Sequence, residues 1–331
     1  MTFDDVLSGL MRCSLFVLLT SLLVAVVSSV CQGASAGKPP NIVFILADDL
    51  GYTDVACFGS GYYETPNIDK LASNGLHYNR FHTTAVCSPT RAALITGRNH
   101  HSAGFGVISE QSTGFPGYNS IIGKDKATIG RILQDNGYAT SWFGKNHNTP
   151  AFQYSEAGPF DQWPCQRGFD RFYGFMDGAM NHWDPFLTED NHHIPRPDTE
   201  EYHLTTDLMD HAVRFVSDQR SVAPEKPFLV YFVPGGTHAP HHPTKEWVQK
   251  IHDMHLFDGG YEKLRETIFE NQKKLGVIPQ SAKMASRATP SKKKKRKVPG
   301  KILKADPKDT VDLRKYATPV GNQKQDRKSV V

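Results

Sequence analysis

The stretch NIVFILADD at residues 41–49 decides the fold. Residues 41–47 are a continuous apolar run rich in β-branched side chains, without polar alternation, and two carboxylates follow at once. A strand buried on both faces reads this way, so a central parallel strand is expected here. Two later runs have the same character, ATSWFG at 139–144 and FLVYFV at 228–233. Helical signals lie between them. Asn67 caps a segment through Asn74 that Gly75 stops, and residues 127–136 end likewise at Gly137. Residues 204–220 place Leu208, Ala212, Phe215 and Val216 on one face. Strands alternating with helices predict an α/β fold with a mainly parallel central sheet flanked by helices.

Residues 152–197 interrupt the alternation with a stretch rich in Trp, Phe, Tyr, Gly, Pro and His. It holds too many aromatics for disorder, and an ordered insertion walling a pocket is expected. Trp163, Phe169, Phe172, Tyr173 and Trp183 either stack there on a sugar or aryl group or serve as core.

The chain has 331 residues, 39% of them hydrophobic and 22% charged, enough apolar material for one sizeable core or two modest ones. A disordered chain, a fibre and a small disulfide-stapled scaffold are excluded. The formal net charge of +4 hides a division. Residues 282–331 carry 16 Lys and Arg against 4 Asp and Glu, leaving 22 basic and 30 acidic residues before them. An acidic body and a basic tail result. Three segments follow: an export signal at 1–36, a folded domain at 37–280 and a disordered basic tail at 281–331.

The export reading rests on Arg12, the apolar stretch 15–27 and the small residues Ala34, Ser35 and Ala36 at a cleavage position. The apolar stretch is shorter than the roughly 20 residues a membrane helix needs, so no stable span is expected after signal removal. The mature chain is expected in the periplasm or secreted. It keeps Cys57, Cys87 and Cys165. In an oxidising compartment a Cys57–Cys165 disulfide with Cys87 free is the simplest expectation. Residues 292–298 also read as a nuclear address, but no aromatic interleaving accompanies their charge and an export signal opposes it, so no nucleic-acid partner is expected.

Polar residues load the ends of all three strands. Asp48 and Asp49 follow the first, Lys145 and His147 the second, and His238 the third. Ligand sites in open α/β sheets lie beyond the carboxyl ends of strands, so these residues are expected to converge. The segment Cys87-Ser88-Pro89-Thr90-Arg91 adds a cysteine at the start of a helix that runs to about Thr96 and stops at Gly97. Helix N-termini favour negative charge, which suits a reactive thiol or an anionic substrate. Arg91 lies one turn on, placed to clamp an oxyanion. On these residues alone the reading is a nucleophilic cysteine enzyme.

The residues resemble the type I sulfatases. Cys-x-Pro-x-Arg is similar to that family's signal for oxidising the cysteine to formylglycine. NIVFILADDLGYTD, ETPNIDKLASNG, CSPTRAALITGR, WFGKNHNTP and THAPHHPTKEW resemble successive family blocks, over about residues 40–279 and most closely those of large bacterial arylsulfatases. The resemblance implies a fold similar to alkaline phosphatase and hydrolysis of sulfuric esters. It implies that Cys87, once converted by a maturation enzyme, is a hydrated aldehyde attacking sulfur. Asp48 and Asp49, with the converted Cys87, become ligands of a calcium ion. Arg91 holds the formylglycine, Lys145 neutralises sulfate oxygens and His147 steadies the hydrate. His238 binds sulfate or assists the leaving oxygen, with His241 its competitor for the latter role. The implied substrate is a sulfated small molecule or sulfated glycan.

The sequence departs from the family after His238. The family's later strand ending in Asp-Asn or Asp-His, and the Lys beyond it, are not found, and a C-terminally truncated sulfatase is expected. Two alternatives stay open: an inactive fragment, and a phosphate or phosphonate ester hydrolase of the same superfamily.

Overall fold

Strands β1 (Ile42–Ile45), β2 (Ala139–Lys145), β3 (Arg171–Phe175), β4 (Leu187–Glu189), β5 (His192–Ile194) and β6 (Phe228–Val233) form one sheet in the order β1-β6-β2-β3-β4-β5. The pairings of β6 with β1 and β2, and of β2 with β3, are parallel; β4 and β5 add an antiparallel edge. Helices α1 (Pro66–Asn74), α2 (Cys87–Thr96), α3 (Ile129–Asp135), α4 (Leu204–Val222), α5 (Lys245–Asp253) and α6 (Gly260–Lys274) accompany it. This computed structural model describes residues 37–78 and 81–286. The readings of 1–36 as an export signal and of the tail from 287 onward lie outside the described residues. Among the described residues no helix is long and apolar enough to cross a membrane.

Side chains of a strand alternate between faces, and β6 shows what that does to a continuous apolar run. Leu229, Tyr231 and Val233 enter one core with Ala92 and Ile95 of α2 and Trp142 of β2. Phe228, Val230 and Phe232 enter a second core with Leu204, Leu208 and Ala212 of α4. Helices on both faces leave the central strands β2 and β6 buried throughout. The expected α/β architecture is the observed one.

Several local expectations need correction. β1 is not central: among the described residues it pairs only with β6 and forms the sheet edge. Val43 and Ile45 are 58% and 57% exposed and border an apolar groove of about 260 Å³ with Met209, Val213 and Val216 of α4. A run of apolar residues encodes two apolar faces, not the number of neighbours. α1 begins at Pro66, with Thr65 in the capping position expected for Asn67. α3 begins at Ile129, where the Thr128 side chain accepts the Arg131 amide. The aromatic insertion is ordered and borders a cavity of about 550 Å³ at Asp184, Phe186, His193 and Arg196, as expected, but it also supplies β3, β4 and β5, and it buries Trp163, Phe169, Phe172 and Tyr173 in the core. Only Trp183 of that group is exposed.

The expected Cys57–Cys165 disulfide is absent; Cys57, Cys87 and Cys165 are all free. The Cys57 amide is bonded to Asp69, and the Cys165 thiol faces the Asp190 carboxylate at 3.6 Å. Burial first, then Asp190, pushes the Cys165 thiol up to about 12, so it stays protonated at neutral pH.

Two glycines set the spacing of the strands beneath the site. Gly144 of β2 has φ +111°, and a Cβ there would lie 1.9 Å from the Val233 carbonyl oxygen. A Cβ on Gly174 of β3 would lie 2.0 Å from the Gly144 carbonyl oxygen. Backbone fills the space a side chain would need.

Candidate active site

The strand ends converge as expected, and the charges on them do more than line a cleft. Asp48, just past β1, is 8% exposed, yet it is ionised because two cations meet it. Its Oδ2 accepts the Lys145 ammonium at 2.5 Å and faces the Arg91 Nη2 at 3.2 Å. Burial pushes this carboxyl up, but Arg91 and Lys145 outweigh it and hold it below its usual value. Lys145 and Arg91 are themselves buried. Arg91 donates from Nη1 to the Lys145 carbonyl at 3.1 Å, which also accepts the Trp142 indole at 3.2 Å. Helix α2 and strand β2 are thus tied together through one buried cluster.

Helix α2 starts at Cys87 and ends at Gly97 in the left-handed conformation, as the sequence indicates. Cys87 is half-buried, and its Sγ lies 3.2 Å from His147 Nδ1. His147 comes two residues after β2, at φ +57°. The chain is forced into that turn by Asn146, whose side-chain oxygen accepts the amides of Asn148 and Thr149. The His147 amide bonds to the Met176 carbonyl, and the Ser109 hydroxyl bonds to the His147 carbonyl. On the far side of the ring, Nε2 lies 2.7 Å from Glu110 Oε1.

The electrostatics follow this chain of contacts. Burial alone raises the Cys87 thiol, but the hydrogen bond and charge of His147, with Lys145 behind, bring it below its ordinary value. Burial lowers His147, while Cys87 and Glu110 more than offset this and leave it raised. Glu110 is lowered, chiefly by its bond to His147. The sequence did not single out Glu110: it is one acid in an irregular stretch, and no spacing connects it to a histidine 37 positions on.

The third strand end is joined to the first. Thr237 donates from its amide and hydroxyl to the Asp48 carbonyl, at 3.1 and 2.7 Å. This brings His238 Nε2 to 3.7 Å from Asp49 Oδ2 at the exposed rim. His241, the competitor for its role, is exposed and makes no such contact with Asp48 or Asp49. Cys87, Arg91, Lys145, His147, His238, Asp48 and Asp49 therefore share one region.

A calcium ion asks for six to eight oxygen ligands. Among the described residues no group of three His, Cys, Asp or Glu side chains is gathered to hold a metal ion, so the expected set Asp48, Asp49 and converted Cys87 is not assembled by these residues alone. The reason is visible in Asp48, whose Oδ2 is already taken up by Lys145 and Arg91. The described residues do not by themselves fit a calcium ion.

Beneath the His238 loop lies a cluster of histidines. The His182 amide donates to His242 Nδ1, and His203 Nε2 donates to the His242 carbonyl. Burial first, then His203, His242 and His241, pushes His182 down to about 4 from 6.5. Between those pH values the unfolded chain takes up a proton that the folded chain refuses, so stability falls as pH drops from about 6.5 toward 4. Wild-type chain is expected to lose about 2 kcal/mol more than His182→Gln between pH 7 and pH 5. Urea midpoints at the two pH values measure this; equal losses exclude it.

Comparison with known proteins gives the wider frame. The model of the family described as Sulfatase matches residues 40–260. An uncharacterized sulfatase of Schizosaccharomyces pombe is 32% identical over 268 residues, covering 74% of this chain and 46% of its own. An arylsulfatase of Klebsiella aerogenes is 27% identical over 266 residues, covering 77% of this chain and 55% of its own. The chain thus spans about half the length of these curated relatives. The crystal structure of Ps i-CgsB superposes with a TM-score of 0.54 at 27% identity, over 72% of this chain and 56% of that one. The same protein has also been solved in complex with k-i-k-neocarrahexaose.

Proposed function

Because the chain belongs to the sulfatase family, we propose that it hydrolyses sulfuric esters through a formylglycine made from Cys87. The observation that carries this reading is the position of Cys87: at the start of α2, 3.2 Å from His147 Nδ1 and next to the buried cations Lys145 and Arg91. A maturation enzyme reading Cys87-Ser88-Pro89-Thr90-Arg91 would carry out the conversion. Formylglycine supplies a hydrated aldehyde, and hence a hydroxyl nucleophile at a position where a thiol has none.

The chain's own residues do the rest. His147 Nδ1 takes a proton from the group at position 87, and Glu110 steadies the opposite ring nitrogen. Lys145 and Arg91 present positive charge to sulfate oxygens from within the protein, where water screens it little. His238 stands at the rim, where a leaving oxygen needs a proton. No step is assigned to a metal ion, since the described residues do not fit one. A sulfated carbohydrate is the proposed natural substrate, supported by the carbohydrate bound to Ps i-CgsB. Export to the periplasm or outside the cell is proposed from the signal-like residues 1–36.

Full chain co-expressed with a formylglycine-generating enzyme is expected to turn over an aryl sulfate faster than the matched aryl phosphate. Cys87→Ala is expected to lower sulfate turnover by roughly 10³-fold or to the blank. Faster phosphate turnover would replace this reading with that of a phosphate ester hydrolase. Unchanged activity in Cys87→Ala would remove it altogether.

A further inference from the structure

Cys87, His147 and Glu110 make a continuous line of contacts that the sulfatase reading does not require in its unconverted form. The thiol lies 3.2 Å from one ring nitrogen, and the carboxylate lies 2.7 Å from the other. A nucleophile within reach of a base, itself oriented by a third group, is the general signature of covalent acyl transfer. We propose that, while Cys87 remains a thiol, Cys87, His147 and Glu110 act as a nucleophile, base and orienter that transfer acyl groups from small activated esters to water.

The surroundings hold this line in place. Glu110 belongs to the 3-10 turn Ser109–Gln111, and that turn is fastened at both of its catalytic neighbours. The Ser109 amide bonds to the Ser88 hydroxyl beside Cys87, and the Ser109 hydroxyl bonds to the His147 carbonyl. Gly178 closes over the pair: a Cβ there would sit 2.7 Å from the His147 ring and 3.1 Å from the Glu110 carboxylate. His147 is almost fully buried, whereas Cys87 is only half-buried, so a small substrate approaches from the thiol side, where the Nδ1 edge of the ring faces it. In the first turn of α2 Pro89 has no N–H and the Thr90 amide donates to the Val86 carbonyl, which leaves the Cys87 and Ser88 amides for a carbonyl oxygen gaining negative charge.

The chemistry needs only ester and water. Cys87 Sγ attacks the carbonyl carbon as His147 Nδ1 takes the thiol proton. The carbon–sulfur bond forms, the carbon–oxygen bond to the aryl group breaks, and the phenol leaves with the proton from His147. Water then attacks the thioester, giving its proton to His147. The carbon–sulfur bond breaks, the acid departs and the proton returns to Cys87. Glu110 touches no substrate and is a positioning residue, keeping the His147 Nε2 proton on its own side so that Nδ1 is free to accept.

The test uses full chain made without a maturation enzyme, its thiol at position 87 confirmed by peptide mass, so its outcome is independent of the sulfatase reading. With p-nitrophenyl acetate, a burst of one p-nitrophenol per chain and an acetyl thioester on the Cys87 peptide are expected. Cys87→Ala abolishes both, while Cys57→Ala and Cys165→Ala keep them. Glu110→Ala slows the burst roughly 10- to 100-fold, and Glu110→Gln recovers part of the loss. Near-ultraviolet circular dichroism confirms that each variant is folded. No thioester on Cys87 in folded wild-type chain, or a burst that survives Cys87→Ala, overturns the proposal. A burst unchanged in Glu110→Ala overturns the triad.

Discussion

Asp48→Ala is expected to cost roughly 3–5 kcal/mol of folding stability, because it strands two buried cations at once. Lys145 and Arg91 have side chains only 1% and 2% exposed, and Asp48 is the acid that meets both. A domain of this kind has about 5–15 kcal/mol in total, so the variant should be close to unfolding. Asp49→Ala provides the control within the same doublet. Its carboxylate is 63% exposed and faces His238 at 3.7 Å, an interaction worth less than about 1 kcal/mol. Urea unfolding of both variants at pH 7 measures the contrast. Similar midpoints for the two would mean that Asp48 does not anchor the cluster.

Trp142→Ala is expected to cost a comparable amount, about 3–5 kcal/mol, for a different reason. The ring is 2% exposed and makes edge contacts with Phe169, Phe172 and Tyr231, at centroid separations of 5.0, 5.9 and 5.0 Å. Truncation leaves a cavity among rigid aromatic neighbours that have little room to collapse. Trp142→Phe separates packing from hydrogen bonding. It keeps much of the volume but loses the indole donor to the Lys145 carbonyl, which Arg91 still satisfies. That variant is expected to lose only about 1 kcal/mol beyond the volume it gives up. Equal losses for Phe and Ala, in the same urea series, would show that packing is not the dominant contribution.

These two variants also mark how far the sequence is legible. The runs at 139–144 and 228–233 read correctly as buried strands, since an unbroken apolar run has only a few structural meanings. The run at 41–47 carries the same signal, yet β1 is an edge strand among the described residues. Which strand lies beside which is decided by connections distant in sequence, and local pattern does not contain them. Residues 152–197 were readable as ordered from their aromatics, but not as β3, β4 and β5, because Gly and Pro between short strands mimic loop.

The site shows the same division. Asp48, Lys145, His147 and Cys87 were identifiable because strand ends and helix starts are places that sequence can locate. The ion pairs among Asp48, Lys145 and Arg91 were not, since they depend on how α2 lies across the sheet. Glu110 had no signal at all. Its role comes from a 3-10 turn fastened by Ser109 to Ser88 and His147, three segments that meet only once the chain is folded.

The close approach of β2 to its neighbours bears on how large mutant libraries of this chain should be scored. Any side chain at Gly144 or Gly174 would intrude on a backbone carbonyl about 2 Å away. In a selection that counts only turnover, both positions would rank with Cys87 and His147 as intolerant, and both would be mistaken for chemistry. Counting soluble protein alongside product sorts them, because the glycine variants vanish from both tallies and the catalytic ones from a single tally.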